Sequence, residues 1–427
     1  MKAVSPPAGD MRDRAEEPGS AGFSDWVPRP GRVSGASWPA GRIKKGAVGA
    51  RPDGAPAPGS MHNYLPWLDL LRFVACELVI VNHLGPYESA DDLGHNGVGL
   101  FFSISGFLIG SILVAEHGRP GWLSRFYAGR LLRIYPPLLV GLLFFGGLLW
   151  AWSLSGNVRH PDAWPGMLRN WVYYLTFTKP LSPDSATTAF PYGIVWSLCV
   201  EEYFYLLMPL AFWLFGPRAT AVGLVALAAL IAEPRFQVLR EGFNTNYLMP
   251  VNLMAGVVLA TFRAKAGPGA PWVGLIGLAL VIANASTGYL KPFGPIMAVV
   301  TTMVVWSFAT TRVPMPAALC PLVAAGKWSY GIYLLHLPFC SAALTLCRKA
   351  GLGPDEPVGY FAAAAVLATV GSTLAAGLMY RLYEKPILAS RPWIYQRRWA
   401  RYLCAGIQVS LVPAGVLYWW VTVGSAR

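Results

Sequence analysis

Charge is the scarcest property of this sequence. Only 13% of its 427 residues are Asp, Glu, Lys or Arg, where a soluble globular domain carries about a quarter. With 55% hydrophobic residues and a mean hydropathy of +0.44, the chain is not organised for water, and lipid is the solvent that suits it. Cysteine is scarce too. Cys76, Cys199, Cys320, Cys340, Cys347 and Cys404 form no CxxC pair and fall mostly inside apolar runs, which argues against a disulfide or metal framework and leaves them as small core residues. The six histidines lack zinc-type spacing, so no metal is expected. No apolar stretch of signal-peptide type opens the chain. The alternation of a membrane barrel is missing, and so is the internal repeat that would favour a transporter.

What charge there is leans basic, with 34 Lys and Arg against 21 Asp and Glu and a formal net charge of +13. The cations stand singly between apolar runs, whereas a duplex-binding face gathers them on one surface, so nucleic acid is not an expected partner. Residues 1–62 are rich in Pro, Gly, Ala and Arg and are expected to form a disordered extension. Met61, just before the first apolar segment, is a candidate start of the mature protein.

From Leu65 onward the chain is a succession of apolar runs: 65–84, 97–115, 134–154, 192–215, 218–232, 247–263, 271–286, 292–310, 327–347, 358–380 and 403–423. Most approach the roughly 20 residues a helix needs to span a bilayer. The expected fold is all-α, a polytopic transmembrane bundle of 10–11 helices, with a membrane domain over 63–386. A basic cytoplasmic linker and an extra membrane helix are expected over 387–427. Arg119, Arg125, Arg130, Arg133, Arg263, Lys265 and the group from Arg381 to Arg401 fall on one side if the amino terminus is cytoplasmic. The positive-inside rule favours that orientation.

Ionisable residues inside membrane helices are costly and mark sites or pathways. The first run holds Asp69, Arg72, Glu77 and His83. At 100° per residue Arg72 and His83 share a face about 16 Å apart, with Asp69 near that stripe and Glu77 off it. Glu201 and Glu202 are adjacent and point about 100° apart, so one can serve a site while the other bonds elsewhere. Arg130 and Arg133 share a face at i,i+3 and are expected at the cytoplasmic entrance of the third helix, suited to phosphate. Ser105 has no obvious base beside it, and Gly110 and Ser111 nearby suggest small-residue helix packing. His336 either bonds Tyr330 or Tyr333 on its own helix or lines a substrate path. Trp164, Trp171, Tyr173 and Tyr174, in the long segment 155–190, read as interfacial anchors or as a platform for a sugar.

Taken together, these clusters resemble the acyltransferase-3 family of bacterial membrane acyltransferases. Leu68-Asp69-Leu70-Leu71-Arg72 is similar to its LDGLR opening, and Arg72 to His83 keeps its Arg-x10-His spacing. Gly97 to Ile109 resembles GVDLFFxxSGFLI, and Arg130-x-x-Arg133 with Tyr135-Pro136 resembles RxxRIYP. Trp196 to Tyr205 is similar to WSLSVEEQFY, Ser329 to Pro338 to SYxxYLxHxP, and Glu384-Lys385-Pro386 to the closing ExP. Departures are Leu70 for Gly, Gly99 for Asp, Cys199 for Ser and Tyr203 for Gln. The sequence also stops soon after its last apolar run, and no appended esterase domain is expected.

The resemblance implies an acyl-CoA donor, acetyl-CoA foremost, and a hydroxyl acceptor on a saccharide or glycoconjugate, with no permanently bound cofactor. It implies a multi-pass protein of the bacterial cytoplasmic membrane, in contact with membrane lipid. His83 is the expected general base, with Glu201 and Glu202 orienting the site. Arg72, Arg130 and Arg133 would hold the coenzyme A phosphates. Ser105, Tyr330 and His336 are the candidates for substrate contact. The alternatives are a transporter or flippase of a polar or glycolipid substrate, and an acyltransferase acting on a secondary metabolite such as a macrolide.

Overall fold

The structure is a computed structural model describing residues 65–85, 91–155, 162–185, 192–232, 251–262, 270–287, 290, 292, 294–353 and 357–423. The chain divides into two units, residues 1–62 and 63–427. The expected extension over 1–62, Met61, Arg263 and Lys265 lie outside the described residues.

Among the described residues there are helices and no strands, as the run lengths require in lipid, where backbone groups must be satisfied within each segment. The long helices are α1 (Pro66–Leu84), α2 (Asp91–Glu116), α3 (Trp122–Leu154) and α6 (Val195–Ala232). They continue as α7 (Val251–Phe262), α8 (Pro271–Thr287), α9 (Pro295–Thr310), α11 (Ser329–Lys349), α12 (Pro357–Met379) and α15 (Arg398–Thr422). Shorter pieces are α4 (Ala163–Arg169), α5 (Trp171–Leu175), α10 (Cys320–Lys327), α13 (Lys385–Ala389) and α14 (Arg391–Gln396). Among the described residues, every apolar run of the sequence overlaps a helix. Runs four and five join without a loop, as α6, which breaks at Gly216. There φ is 76° and ψ 166°, a conformation open to glycine and followed at once by Pro217. Among the described residues, six helical stretches are long and apolar enough to cross a membrane by length and composition.

Three helices start well before their apolar runs, among them α15, which begins at Arg398. Helix α2 begins at Asp91, so His95 belongs to a helix and not to a loop. Helix α3 begins at Trp122, which places Arg130 and Arg133 two to three turns inside it instead of at its entrance. Pro136 and Pro137 also lie within α3. Apolar content marked only the lipid-crossing part of α3, whereas its helical hydrogen bonding runs on into the polar part.

Packing places α1 and α2 at the centre. Helix α1 contacts α2, α10, α11 and α12, and α2 contacts α1, α6, α7, α8 and α9. Backbones approach closely where α2 meets α7, since a side chain on Gly106 would run into the Leu253 carbonyl and one on Gly256 into that of Ser103, and where α10 meets α1, since a side chain on Gly326 would run into the Asp69 carbonyl. Small residues permit this approach, the commonest way for helices to associate in lipid. The outer faces carry exposed Leu143, Trp150, Leu207, Trp213, Leu275 and Leu374, the composition of a lipid-facing surface.

Helix α15 packs along α3. Its Gly415 lies against Thr176 and Thr178, and its Gln408 donates to Glu202. The segment from Asp162 to Ser185 is tucked into the bundle. Tyr135 and Tyr203 donate to the carbonyls of Leu175 and Phe177 at 2.8 Å each, satisfying backbone that short helices and turns leave open. Lys179 is buried there and donates to the Ser185 carbonyl at 2.7 Å, and burial lowers its pKa. Tyr173 and Tyr174 are buried as well, so they form no exposed platform; Trp164 and Trp171 are half-buried.

Candidate active site

The stripe of α1 holds as the periodicity requires. Arg72 pairs with Asp69 at 3.4 Å, and Glu77 turns away from both Arg72 and His83 to accept from Thr369 of α12 at 2.6 Å. Eleven residues beyond Arg72, His83 holds its ring by a 2.8 Å contact between Nδ1 and the Val79 carbonyl. A carbonyl oxygen only accepts, so Nδ1 carries the hydrogen and the basic lone pair of the neutral ring is on Nε2.

Two cavities separate the ends of this stripe. The larger, about 670 Å³, is lined by His83, Asn82 and His95 together with Phe145, Trp152 and Trp196, and falls in the range of small-molecule sites. The smaller, about 110 Å³, is lined by Arg72, Arg130, Arg133, Ser105, Glu201 and Tyr330. Val98 and Tyr333 line both. One cavity presents an imidazole and the other three guanidinium groups, and they stand back to back.

In the smaller cavity Glu201 accepts from Ser105 Oγ at 2.7 Å and from the Tyr205 hydroxyl at 3.0 Å. A carboxylate thus stands beside Ser105, contrary to the expectation of a serine without a base. The packing expectation holds for its neighbours: a side chain on Gly110 would meet Ala260 at 2.8 Å. Arg130 lies 5.6 Å over the Tyr205 ring and 5.5 Å over Phe126, a cation–π arrangement that holds the guanidinium. Arg133 pairs at 3.5 Å with Glu384, which sits on a π turn, Tyr380–Glu384, at the end of α12. Tyr330 donates to the Ile134 carbonyl at 3.1 Å.

The two glutamates divide as their 100° separation allows. Glu201 lines the smaller cavity, while the buried Glu202 takes a hydrogen bond from Gln408 of α15 and is outside both cavity linings. The three residues expected to contact substrate also divide. Ser105 and Tyr330 belong to the arginine cavity. His336 lines neither cavity; it is fully buried behind His83, with ring centroids 4.9 Å apart, and its Nδ1 donates to the Tyr333 carbonyl at 2.7 Å.

Sequence reasoning gave no role to Val98, His95, Ser197 or Gln408, and to Tyr333 only that of a partner for His336. Ser197 and Tyr333 sit within quoted motifs and bond each other at 2.7 Å, a pairing across 136 residues that no spacing announces. Gln408 lies beyond the motifs, and His95 sat outside its apolar run.

The polytopic helical bundle thus encloses an imidazole-bearing cavity against a guanidinium-lined one. The chain belongs to the acyltransferase family whose acyltransferase-domain profile matches residues 65–377. It is similar to "O-acetyltransferase OatA" of Staphylococcus aureus, 26% identical over 76% of this chain and 57% of that protein. It is also similar to a Bacillus subtilis protein named "Putative peptidoglycan O-acetyltransferase YrhL", 30% identical over 42% of this chain and 29% of that protein. The chain therefore spans from 29% to 57% of the length of these relatives. No solved structure matches it.

Proposed function

We propose that this protein transfers an acyl group, acetyl foremost, from acyl-CoA to a hydroxyl of a saccharide or glycoconjugate, in the bacterial cytoplasmic membrane with its amino terminus cytoplasmic. The observation that carries this reading is the back-to-back pair of cavities, His83 opening into one and Arg72, Arg130 and Arg133 into the other. The names of the relatives support O-acetyl transfer, one of them to peptidoglycan.

In this reading the arginines hold the phosphates of coenzyme A, for which guanidinium groups are suited. Glu201, held by Ser105 and Tyr205, balances their charge and orients them. The acceptor occupies the larger cavity, and His83 Nε2 removes its hydroxyl proton as the oxygen attacks the thioester carbonyl. The carbon–oxygen bond forms, the carbon–sulfur bond breaks, and the proton passes from His83 to the departing thiolate. Donor access is from the cytoplasmic side, where the arginines lie, and acceptor access from the other.

The test is transfer of radiolabelled acetyl from acetyl-CoA to material extracted from host membranes, comparing wild type with His83→Ala at equal protein amounts. Label with wild type alone is the expected result, and the labelled product names the acceptor. Full transfer by His83→Ala would overturn the role of His83. No label from acetyl-CoA or longer thioesters would overturn the activity and favour transport.

A further inference from the structure

The two cavities share a wall, and that wall is built to keep its shape. The first residue common to both linings is Val98, 5% exposed, between Gly97 and Gly99 on α2. A side chain on Gly97 would meet the Ala75 carbonyl of α1 at 2.8 Å, and one on Gly99 would meet Asn252 of α7 at 3.3 Å. Helix α2 is thus wedged between α1 and α7 at this level, and Val98 is the side chain that projects between the two glycine contacts. Its β-branch leaves χ1 little freedom in a helix.

The second residue common to both linings is Tyr333, whose hydroxyl lies 2.7 Å from Ser197 Oγ and 3.0 Å from the Ile194 carbonyl. Its ring packs at 6.3 Å against Phe101 and at 5.7 Å against His336. Swinging the ring aside would break both polar contacts inside the bundle. Neither wall residue is placed to yield.

Resting on the reaction proposed above, we infer that Val98 and Tyr333 form a neck of fixed width that selects the acyl group by size. Sulfur lies on the arginine side and the attacking oxygen on the His83 side, so the thioester carbonyl carbon is held at the shared wall. The substituent on that carbon then lies against Val98 and Tyr333. Acetyl fits; each added methylene presses on a wall that cannot retreat. The arginines, distant from the acyl group, bind every coenzyme A thioester alike and contribute nothing to this choice.

The experiment measures kcat/KM for acetyl-, propionyl- and butyryl-CoA with membranes containing wild type, Val98→Ala or Val98→Leu. Wild type is expected to prefer acetyl. Val98→Ala should raise the butyryl-to-acetyl ratio by about 10-fold or more, the usual scale for one methylene in an apolar pocket. Val98→Leu should lower the propionyl-to-acetyl ratio, and it supplies the decisive arm should the alanine variant be absent from the membrane. Ratios within about twofold of wild type in both variants, or shifted the same way by both, would overturn the neck while leaving acyl transfer standing. Wild type inactive with every thioester would overturn the underlying reaction and the neck with it.

Discussion

Ser105 donates its hydroxyl hydrogen to Glu201 over 2.7 Å, joining α2 to α6 across 96 residues of sequence. The same carboxylate also accepts from Tyr205, so two hydroxyls converge on one charge in the wall of the arginine cavity. Hydrogen bonds to a charged group contribute about 1.5–3 kcal/mol. Ser105→Ala removes one and is expected to lower kcat/KM about 10-fold. Glu201→Gln offers an amide that cannot replace the charge facing the arginines, and the loss should exceed 100-fold. Acyl transfer per unit of membrane protein measures both, and Glu201→Gln retaining wild-type kcat/KM would sink this role.

Arg133 and Glu384 form an ion pair beside the arginine cavity, with Glu384 only 4% exposed. Arg133 is itself half-buried, so removing it leaves the buried Glu384 uncompensated at a cost at or below the roughly 3–5 kcal/mol of a fully buried pair. Arg133→Ala should therefore lower the amount of folded protein as well as activity, whereas the double variant Arg133→Leu with Glu384→Leu should recover the folded amount and not the activity. Fluorescence-detected gel filtration read beside the transfer assay separates the two effects. Recovery of both would mean that Arg133 serves structure alone.

Glu202 and Gln408 couple the Trp196–Tyr205 motif of α6 to a helix beyond the family match. Each keeps one buried oxygen without a hydrogen-bond partner among the described residues. Gln408→Leu strands the carboxyl of Glu202, at a cost of about 1–3 kcal/mol, so the Tm in detergent should fall. Because Glu202 lies outside both cavity linings, kcat of the protein that remains folded should stay within about twofold of wild type. A large drop in kcat with an unchanged Tm would place Glu202 in the chemistry instead.

Two glycines make a contrast in packing. At Gly106 an added methyl would collide with the Leu253 backbone, while at Gly147 nothing lies within 4 Å. Gly106→Ala must push α2 from α7, and overpacking of this kind costs about 1–3 kcal/mol or more. Gly147→Ala faces open space on a helix, where alanine is favoured by about 1 kcal/mol. Thermal unfolding in detergent should show a lowered Tm for the first and an equal or higher one for the second. Equal values would mean that the two helices are not held at their close separation.

His95 lines the His83 cavity and its ring lies 5.7 Å from Trp196. His95→Ala should weaken acceptor binding, raising the acceptor KM several-fold with the KM for acetyl-CoA unchanged. Initial rates at varied concentrations of each substrate test this, and a rise in the donor KM instead would assign His95 to the wrong cavity.

Much of this protein is written locally. Length of apolar run, shortage of charge and the spacing of Arg72 and His83 are properties of neighbouring residues. Helices at all eleven runs, the Asp69–Arg72 pair and the turn of Glu77 away from the Arg72–His83 face follow from them. Helix starts were less legible: α2 and α3 extend into polar sequence because hydrogen bonding along a helix does not stop where lipid does. The angle between Glu201 and Glu202 announced that their roles differ, but not which of them would face the site.

What the sequence by itself determined is therefore the class of molecule, the order of its helices and the face on which each charged group stands. The tertiary structure alone decided which faces meet. Helical periodicity sets a direction for a side chain and is silent about what lies there, since that depends on how helices far apart in the chain pack. The carboxylate beside Ser105, the histidine behind His83, the glutamine on Glu202 and the wall shared by Val98 and Tyr333 are all products of that packing.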